Sequence, residues 1–342
     1  MTRTTIFFIF GGESAEHRVS LDSARYIFTL LKPERYDIAL CYVDTAGIWW
    51  KVESFAQIDD ERFEVTYTPR LGTGAITASD GTTIHADALL PILLGSNGED
   101  GAIQGVAQML HVPVVGSGIL GSAICMDKEV TKRLLLQANI AVAEYLLYCK
   151  GDSNLSYAAA KEVLGGTIFI KPACQGSSIG VMKATNEAEF DTGLSNALSY
   201  DHKILLERAV DGVEVGCGII GNSTPEASAV SLIDVGDNAF FTYDAKYSRS
   251  SSASTQIPAN LSADVTEAIK HTAIKAYQVL MCSGYTRIDM FLTNDGRILV
   301  NELNTLPAFR DDSSFPKLWK ALGVKPNVLW DKIIDYALES TT

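Results

Sequence analysis

The sequence lacks any pair of cysteines at the spacing that metal sites use, although it contains six cysteines in 342 residues. These cysteines are scattered, so neither a zinc site nor a disulfide framework is indicated, and a reducing environment is expected. Basic residues are also scarce, because 28 Lys and Arg residues stand against 41 Asp and Glu residues and the formal net charge is -13. This balance argues against nucleic acid and anionic membranes as partners, so any anionic ligand must be held by a few local cations.

Long hydrophobic runs are missing as well. No stretch reaches the roughly 20 apolar residues of a membrane span, and the apolar run 6–10 is too short for a signal peptide and stops at a Gly-Gly turn. We therefore expect a soluble, cytoplasmic protein without a targeting segment. Two common nucleotide-binding motifs are absent too. The glycine turn after the first predicted strand is not GxGxxG, which disfavours a nicotinamide enzyme, and the later lysine-glycine loop is not a Walker A motif.

The length and the 47% hydrophobic content suffice for two or three domains. Strand-like and helix-like segments alternate over residues 1–120, which predicts an α/β domain with a mainly parallel sheet. Residues 121–210 form a predicted second domain, and residues 211–342 a third domain of α+β character. Within the third domain the polar, serine-rich segment 236–259 is predicted to be a lid, because such loops in compact domains are usually disordered or functional.

The strongest chemical pattern lies on two neighbouring predicted strands near the end of the chain. Arg287 and Asp289 are two residues apart, as are Glu302 and Asn304, so each pair shares one face of its strand. If the strands form a hairpin across residues 293–296, the four side chains converge. Three of them offer oxygen ligands that suit Mg2+, and the arginine would stabilise charge that develops in a transition state. The alternative is an ordinary solvated hairpin face.

Three glycine-bearing loops carry weaker signals. Residues 171–180 place a lysine at a strand end before a small-residue turn, which can cradle phosphates or be a simple Gly-Ser hairpin. Residues 10–20 pass from strand to glycine turn to helix start, which suits an anion or merely a capped turn. Residues 94–101 combine three glycines with two acids after a strand, as a ligand-binding edge or a structural loop.

In this order and spacing, the motifs resemble those of the D-alanine–D-alanine ligases of the ATP-grasp superfamily. The resemblance spans almost the whole chain and is carried by FGGESAEHRVS, GEDGAIQG, SAICMDKEVTK, FIKPACQGSSIGV, ILLERAVDGVEV, YDAKY, RIDMF, NELNTLPAF and SSFPKLW. The EVGCGIIG stretch and the compact YDAKY segment look most similar to vancomycin-resistance ligases of the D-alanine–D-serine kind.

The resemblance implies a three-domain ATP-grasp fold, with ATP gripped between the second and third domains. It implies that the first D-alanine is phosphorylated to an acyl phosphate, which the amine of the second attacks to give D-alanyl-D-alanine for peptidoglycan precursors. It further implies two Mg2+ ions, for which Mn2+ can substitute, and a homodimer.

Site residues follow from the same resemblance, residue by residue. The nucleotide would be held by Lys128, Lys171, Ser178 and Lys246 at the phosphates, by Glu207, Arg208, Ala209 and Val210 at the adenine, and by Glu214 at the ribose. The metal ligands would be Asp289, Glu302 and Asn304. Glu16 and Val19 would meet the first amino acid, and Ser177 and Tyr247 would join Glu16 in linking the first domain to the lid. Arg287 and the backbone N–H of Ala308 would stabilise the tetrahedral intermediate. The second substrate would meet Leu94, Arg310, Ser313 and Ser314.

The chain departs from the family pattern on the acceptor side. Leu94 stands where a His is usual, Ala308 where a Gly is usual, and Arg310 where a Thr is usual. A Cβ at position 308 restricts the backbone and crowds the carbonyl, and Arg310 adds a fixed cation. We therefore hypothesise that ATP-dependent ligation persists but that the acceptor is D-serine, D-lactate or another amino acid. Arg310 would pair with an acidic acceptor, or else with Asp311 or Asp312.

An alternative of a different class is a non-catalytic ATP-binding protein with a regulatory role. Such a protein would not need the metal-binding and arginine residues that this chain retains.

Overall fold

The computed structural model describes residues 3–152, 155–234 and 254–339. It contains three principal sheets that follow one another along the chain, with helices packed against them. The α/β class, with an antiparallel-sheet C-terminal part, is confirmed. In the described part of the chain, no helix is both long enough and apolar enough to span a membrane.

The first sheet is built from continuous apolar runs, as expected for parallel strands covered on both faces. Its strand order is β3-β2-β1-β7, and β1 pairs in parallel with both β2 and β7. The bounds are β1 Thr4–Gly11, β2 Tyr36–Val43, β3 Trp49–Val52 and β7 Ala88–Ile92, with helices α1 His17–Leu30, α2 Phe55–Asp59 and α3 Ala102–Leu110. A small antiparallel sheet is inserted between β3 and β7, formed by β4 Tyr67–Arg70, β5 Ala75–Ala78 and β6 Thr83–His85.

The second sheet is antiparallel, in the order β10-β9-β11-β8. Two helices, α4 Ile119–Met126 and α5 Lys128–Gln137, precede it. Asp127 caps α5 by accepting the backbone N–H groups of Glu129 and Val130, which fixes the direction in which the first α5 residues point. The other bounds are β8 Tyr145–Cys149, α6 Tyr157–Leu164, β9 Ile168–Pro172, β10 Met182–Ala184, α7 Glu187–Leu198 and β11 Lys203–Arg208.

The third sheet is antiparallel, in the order β14-β13-β12-β15-β16, and carries the long helix α8 on one face. Its strands are β12 Gly212–Gly221, β13 Glu226–Asp234, β14 Ser254–Gln256, β15 Gly284–Thr293 and β16 Ile298–Asn304. Its helices are α8 Ala263–Val279, α9 Ser314–Lys320 and α10 Pro326–Glu339. Strand β14 falls inside the segment predicted to be a lid, so the end of that segment belongs to the sheet. Residues 235–253 of the predicted lid lie outside the described residues.

The first and third parts of the chain share a hydrophobic core. Residues of β1 and α1 pack in one buried cluster with Phe309, Phe315, Trp319 and Trp330 from the C-terminal segments. Ion pairs join the same parts, with Lys32 Nζ 2.6 Å from an oxygen of Asp331. The loops that follow β1, β7 and β16 are thereby held close to one another.

Candidate active site

The hairpin predicted to bear metal ligands is present. In the register of β15 and β16, Asp289 lies opposite Glu302 and Arg287 opposite Asn304, and a bulge follows Asp289. Arg287 Nε and Nη2 donate to the two oxygens of Asp289 at 2.8 and 2.7 Å, and Asn304 Nδ2 donates to Asp289 Oδ2 at 3.0 Å. Asp289 is only 3% exposed, so this is not an ordinary solvated face.

The donor set of this face fits the implied metal. Two carboxylates and one amide oxygen, carried by adjacent strands, are hard ligands of the kind that Mg2+ takes in proteins. The buried Asp289 carboxylate is paired with the Arg287 guanidinium, so a metal ion here would share this carboxylate with Arg287. Asp289, Glu302 and Asn304 are therefore the residues that would hold Mg2+.

Two lysines approach this face, Lys128 from the start of α5 and Lys171 from β9 of the second sheet. Lys128 Nζ donates to the carbonyl oxygen of Gln175 at 2.6 Å and lies 3.7 Å from Glu302 Oε2. Lys171 Nζ lies 2.7 Å from Glu207 Oε2 and 3.4 Å from the side-chain oxygen of Asn301. Both lysines are therefore brought to the junction of the second and third sheets, as the resemblance implies for phosphate-binding residues.

Glu207 is a buried carboxylate between two ammonium groups. Its other oxygen, Oε1, lies 3.1 Å from Nζ of Lys132, a side chain with no exposed surface. Burial alone would raise the pKa of Glu207, but the charges of Lys132 and Lys171 bring it below its ordinary value. Glu207 is therefore an anion whose two oxygens face different lysines.

The glycine-serine loop between β9 and β10 reaches the first part of the chain. Ser177 and Ser178 both have positive φ, 52° and 59°, a conformation that non-glycine residues rarely adopt and that often marks functional sites. Ser177 Oγ donates a short hydrogen bond to Glu16 Oε1. A Cβ on Gly176 would lie 3.3 Å from Glu16 Oε2, so the loop packs directly on this carboxylate.

Glu16 itself is 7% exposed and lies at the start of α1. Its carboxylate is also next to the loop after β7, where a Cβ on Gly95 would come within 3.1 Å of Oε2. The three glycine-bearing loops singled out in the sequence therefore meet around Glu16. Val19, one turn further along α1, is instead buried in the core cluster.

Apart from Leu94, the predicted acceptor residues lie after β16, on the loop and at the start of α9. Phe309 N–H donates to Ser23 Oγ at 3.2 Å, and Arg310 N–H donates to Ser313 Oγ at 3.0 Å. Within the described residues, no acceptor lies against the backbone N–H of Ala308, which leaves it available to a ligand oxygen. Arg310 Nε donates to Asp312 Oδ1 at 3.0 Å, so its cation is neutralised by a neighbour.

Other predicted residues are placed as follows. Leu94 is 4% exposed and packs in the core cluster, while its carbonyl oxygen accepts from Ser14 Oγ at 2.5 Å. Ser313 precedes α9 and Ser314 begins it, and both are half-buried. Arg208 turns away from the lysine cluster, since its Nη2 donates to the Val163 carbonyl at 2.6 Å and pairs with Glu144.

The backbone after β11 lines an open cavity. Ala209 and Val210 border it together with the turn of the β15–β16 hairpin, where the resemblance implies the adenine edge. Glu214 is half-buried on β12, opposite Phe291 of β15. Lys246 and Tyr247 lie outside the described residues.

Sequence reasoning missed three residues of this site: Glu99, Lys132 and Asn301. Glu99 accepts the N–H groups of Gly95 at 2.8 Å and Leu306 at 3.2 Å, and so joins the loops after β7 and β16. Burial and the charge of Glu16 raise the pKa of Glu99 to about 8. Glu99 and Lys132 both lie inside quoted motifs, but nothing in a linear pattern says which carboxylate or lysine faces inward.

Comparisons with known proteins agree on one family. The family model of the D-ala D-ala ligase N-terminus matches residues 5–117, and that of the D-ala D-ala ligase C-terminus matches residues 134–335. A D-alanine–D-alanine ligase of Shouchella clausii is 40% identical, covering 99% of this chain and 96% of the relative. A D-alanine–D-alanine ligase A of Salmonella typhimurium is 38% identical, covering 100% of this chain and 98% of the relative.

Solved structures give the same result. The VanG D-Ala:D-Ser ligase of Enterococcus faecalis superposes with a TM-score of 0.88 at 31% identity, covering 98% of this chain and 100% of that one. The D-alanine–D-alanine ligase of Coxiella burnetii superposes with a TM-score of 0.87 at 28% identity, covering 99% and 96%. The resemblance drawn from the motifs, including the one to a D-alanine–D-serine ligase, is confirmed.

Proposed function

Because the chain belongs to the D-alanine–D-alanine ligase family, an ATP-dependent carboxylate–amine ligase family, we propose that it makes D-alanyl-D-alanine for peptidoglycan precursor synthesis. This proposal rests mainly on two lysines, Lys128 and Lys171, that lie close to the face formed by Arg287 and Asp289 and could bind phosphates. Lys128 Nζ lies 3.7 Å from Glu302 Oε2, at the junction of the second and third sheets. Such an arrangement suits a triphosphate bridged to the carboxylates by divalent cations.

In the proposed reaction, a carboxylate oxygen of the first amino acid attacks the γ-phosphorus of ATP and ADP leaves, giving an acyl phosphate. Lys128 and Lys171 hold the phosphates, and Glu16 holds the ammonium group of the first amino acid. Bound Mg2+ would supply charge neutralisation of the transferred phosphoryl group. Asp289, Glu302 and Asn304 are the residues proposed to hold it.

In the second step, the amine of the second amino acid attacks the acyl carbon, loses a proton and expels phosphate. The oxygen of the tetrahedral intermediate becomes negative and needs donors placed in advance. Arg287 and the N–H of Ala308 are proposed for that role. The N–H of Ala308 has no acceptor among the described residues, whereas the next two N–H groups along the loop have one each.

A second candidate is a related ligase with a different acceptor. It is supported by the three substitutions at positions 94, 308 and 310, all on the acceptor side. The pairing of Arg310 with Asp312 neutralises the added cation, which favours D-alanine, D-serine or D-lactate over an acidic acceptor. The non-catalytic alternative has less support, because a regulatory ATP-binding protein does not need the Arg287–Asp289–Asn304 network.

The deciding experiment measures phosphate release with a panel of D- and L-amino acids and D-hydroxy acids, with mass spectrometry of the products. Fastest turnover with D-alanine at both positions supports the first candidate and refutes the second. Faster turnover with D-alanine and a different acceptor than with two D-alanines supports the second candidate and refutes the first. If no amino acid or hydroxy acid brings about ADP formation while ATP still binds, both candidates are refuted and the non-catalytic class is favoured.

We further propose that the protein is a homodimer. Three large apolar side chains are exposed on adjoining elements: Ile119 and Leu120 of α4, which are 39% and 58% exposed, and Met281 after α8, which is 60% exposed. A Cβ on Gly121 would lie 2.5 Å from the Met281 carbonyl oxygen, so these elements are in contact. Light scattering with wild type and a Leu120→Glu variant tests this proposal, since a monomeric wild type contradicts it.

The proposed location is the cytoplasm. The reaction consumes ATP, and all six cysteines are free thiols in the structure, as expected in a reducing compartment. Fractionation of the native host, with the protein detected by antibody, tests this location.

A further inference from the structure

Lys132 is a fully buried lysine that the reaction as proposed above does not use. It lies on α5, one turn after Lys128, and its side chain has no exposed surface. Its Nζ is 3.1 Å from Glu207 Oε1 and 5.8 Å from the centre of the Tyr145 ring. Within the described residues, neither Lys132 Nζ nor Glu207 Oε1 has an aligned hydrogen-bond partner. Burying an ammonium group with few hydrogen bonds costs folding free energy, so we expect Lys132 to have a role that requires it at this position.

The charges around Glu207 indicate that role. Two lysines contact one carboxylate, Lys132 at Oε1 and Lys171 at Oε2. Burial lowers the pKa of Lys132, and the charge of Glu207 opposes that shift. With Lys132 protonated, the cluster carries one positive charge in excess. Only Lys171 can meet a ligand, because its side chain is 10% exposed while that of Lys132 is wholly enclosed. Lys132 thus neutralises Glu207 from the inside, and the charge of Lys171 remains available on the open side.

Without Lys132, the same geometry would work against anion binding. Glu207 would keep its charge, and among the described residues Lys171 at 2.7 Å would be the one cationic partner left to it. A nucleotide phosphate would then have to compete with a buried carboxylate for Lys171. The carboxylate of Glu302, which also acts electrostatically on Lys132, would add to the unfavourable negative potential.

We propose that Lys132 is a positioning residue that neutralises Glu207 from within the core and thereby keeps Lys171 free to bind the phosphates of a nucleoside triphosphate. The inference rests on the proposed function, since it assumes that Lys171 meets phosphate. It assigns to Lys132 no contact with the ligand. Its effect should therefore grow with the number of phosphates and be smallest for the nucleoside alone, for which Glu207 is expected only at the adenine edge.

The test compares binding of adenosine, ADP and ATP by calorimetry in the full-length protein. Lys132→Met keeps an unbranched apolar side chain of nearly the same length but removes the charge. It is expected to weaken ATP binding on the order of tenfold, as for loss of a nearby unit charge at an effective dielectric constant of about 20 with some screening. ADP should be affected less, and adenosine within about twofold of wild type. KM for ATP should rise more than kcat falls.

Two further variants separate this role from a purely structural one. Arg133→Met removes the same charge from the next position of α5, where the side chain is 65% exposed, and should leave the nucleotide series unchanged. Lys132→Met combined with Glu207→Gln removes both charges, so Lys171 is again free. ATP binding by the double variant should match that of Glu207→Gln alone within about threefold, because Lys132 has nothing left to neutralise.

Each outcome decides the question. Equal losses for adenosine and ATP in Lys132→Met, or no loss for either, overturn the inference, as does a double variant that binds ATP tenfold more weakly than Glu207→Gln. If Lys132→Met does not fold, the double variant, which leaves no carboxylate at position 207 for Lys132 to neutralise, decides alone by the same criterion. A wild-type protein that binds no ATP would instead refute the proposed function, independently of Lys132.

Discussion

Replacing Arg287 by Ala separates a structural from a catalytic effect at one residue. The guanidinium makes two hydrogen bonds to Asp289, at 2.8 and 2.7 Å, and the carboxylate is 3% exposed. Without Arg287, only Asn304 Nδ2 at 3.0 Å remains as a described side-chain donor to that carboxylate. Removing one partner of such a buried pair costs about 3 kcal/mol or more. We therefore expect a clearly lower urea midpoint for the ligand-free variant.

The matched control lies in the same hairpin. Arg297 pairs with Asp295 across the same two-residue separation, with Nε 2.9 Å from Oδ2, but both side chains are more than 60% exposed. Since solvent screens such a pair, Arg297→Ala should leave the urea midpoint nearly unchanged. Similar shifts in the two variants would refute the assignment of a buried pair to Arg287.

The catalytic part of the prediction is measured by turnover. Loss of one preorganised donor to a developing oxyanion lowers kcat on the order of 100- to 1000-fold, while ATP binding persists. Saturating Mg-ATP should also narrow the stability difference between variant and wild type, because the metal would replace the missing positive charge at Asp289. Undiminished turnover in a folded Arg287→Ala variant would contradict its role in the transition state.

Three other predictions concern the loops around this face. The pKa of Glu99 is about 8 in the folded protein, above its value in an unfolded chain, so the stability that its proton contributes below pH 5 is lost as the pH rises to 8. The free energy of unfolding in urea, compared with that of Glu99→Gln, should therefore fall by up to about 4 kcal/mol over this range. Glu16→Ala and Ser177→Ala should show a coupling energy of about 1–3 kcal/mol in a double-mutant cycle of urea unfolding, since they share one charge-assisted hydrogen bond. Gly98→Ala would place a Cβ 1.5 Å from a backbone carbonyl oxygen and should destabilise the fold severely, whereas Gly105→Ala on open helix surface should raise the melting temperature slightly.

The hairpin of β15 and β16 shows how far the sequence alone could go. Alternating apolar and polar residues on both sides of a Thr-Asn-Asp-Gly turn predict the strands, their pairing and the shared face of Arg287 and Asp289, all of which the structure contains. Period-two patterns and turn residues depend only on neighbouring positions, so they can be recognised from the sequence alone. The α/β class of the first part follows from local patterns in the same way.

Contacts between loops that are far apart in the sequence could not be predicted from local sequence patterns. Glu16 and Ser177 are 161 residues apart, yet they share a hydrogen bond, and nothing in either segment specifies the other. Their pairing was expected only because the motifs resemble a known family. Glu99 and Lys132 show the limit of that route, because a motif marks a segment but does not tell which of its charged side chains is buried.

The substitutions on the acceptor side leave the fold unchanged but bear on which second substrate is accepted. Arg310 was the substitution most able to change specificity, because it adds a cation where the family has a small polar residue. Its guanidinium is 26% exposed and paired with Asp312, so the charge is compensated within two residues along the chain. A pocket that gains no net charge has no electrostatic reason to select an acidic acceptor. We therefore expect discrimination to come from shape, through the methyl group of Ala308 and the buried Leu94, and to favour a small, neutral side chain on the second substrate.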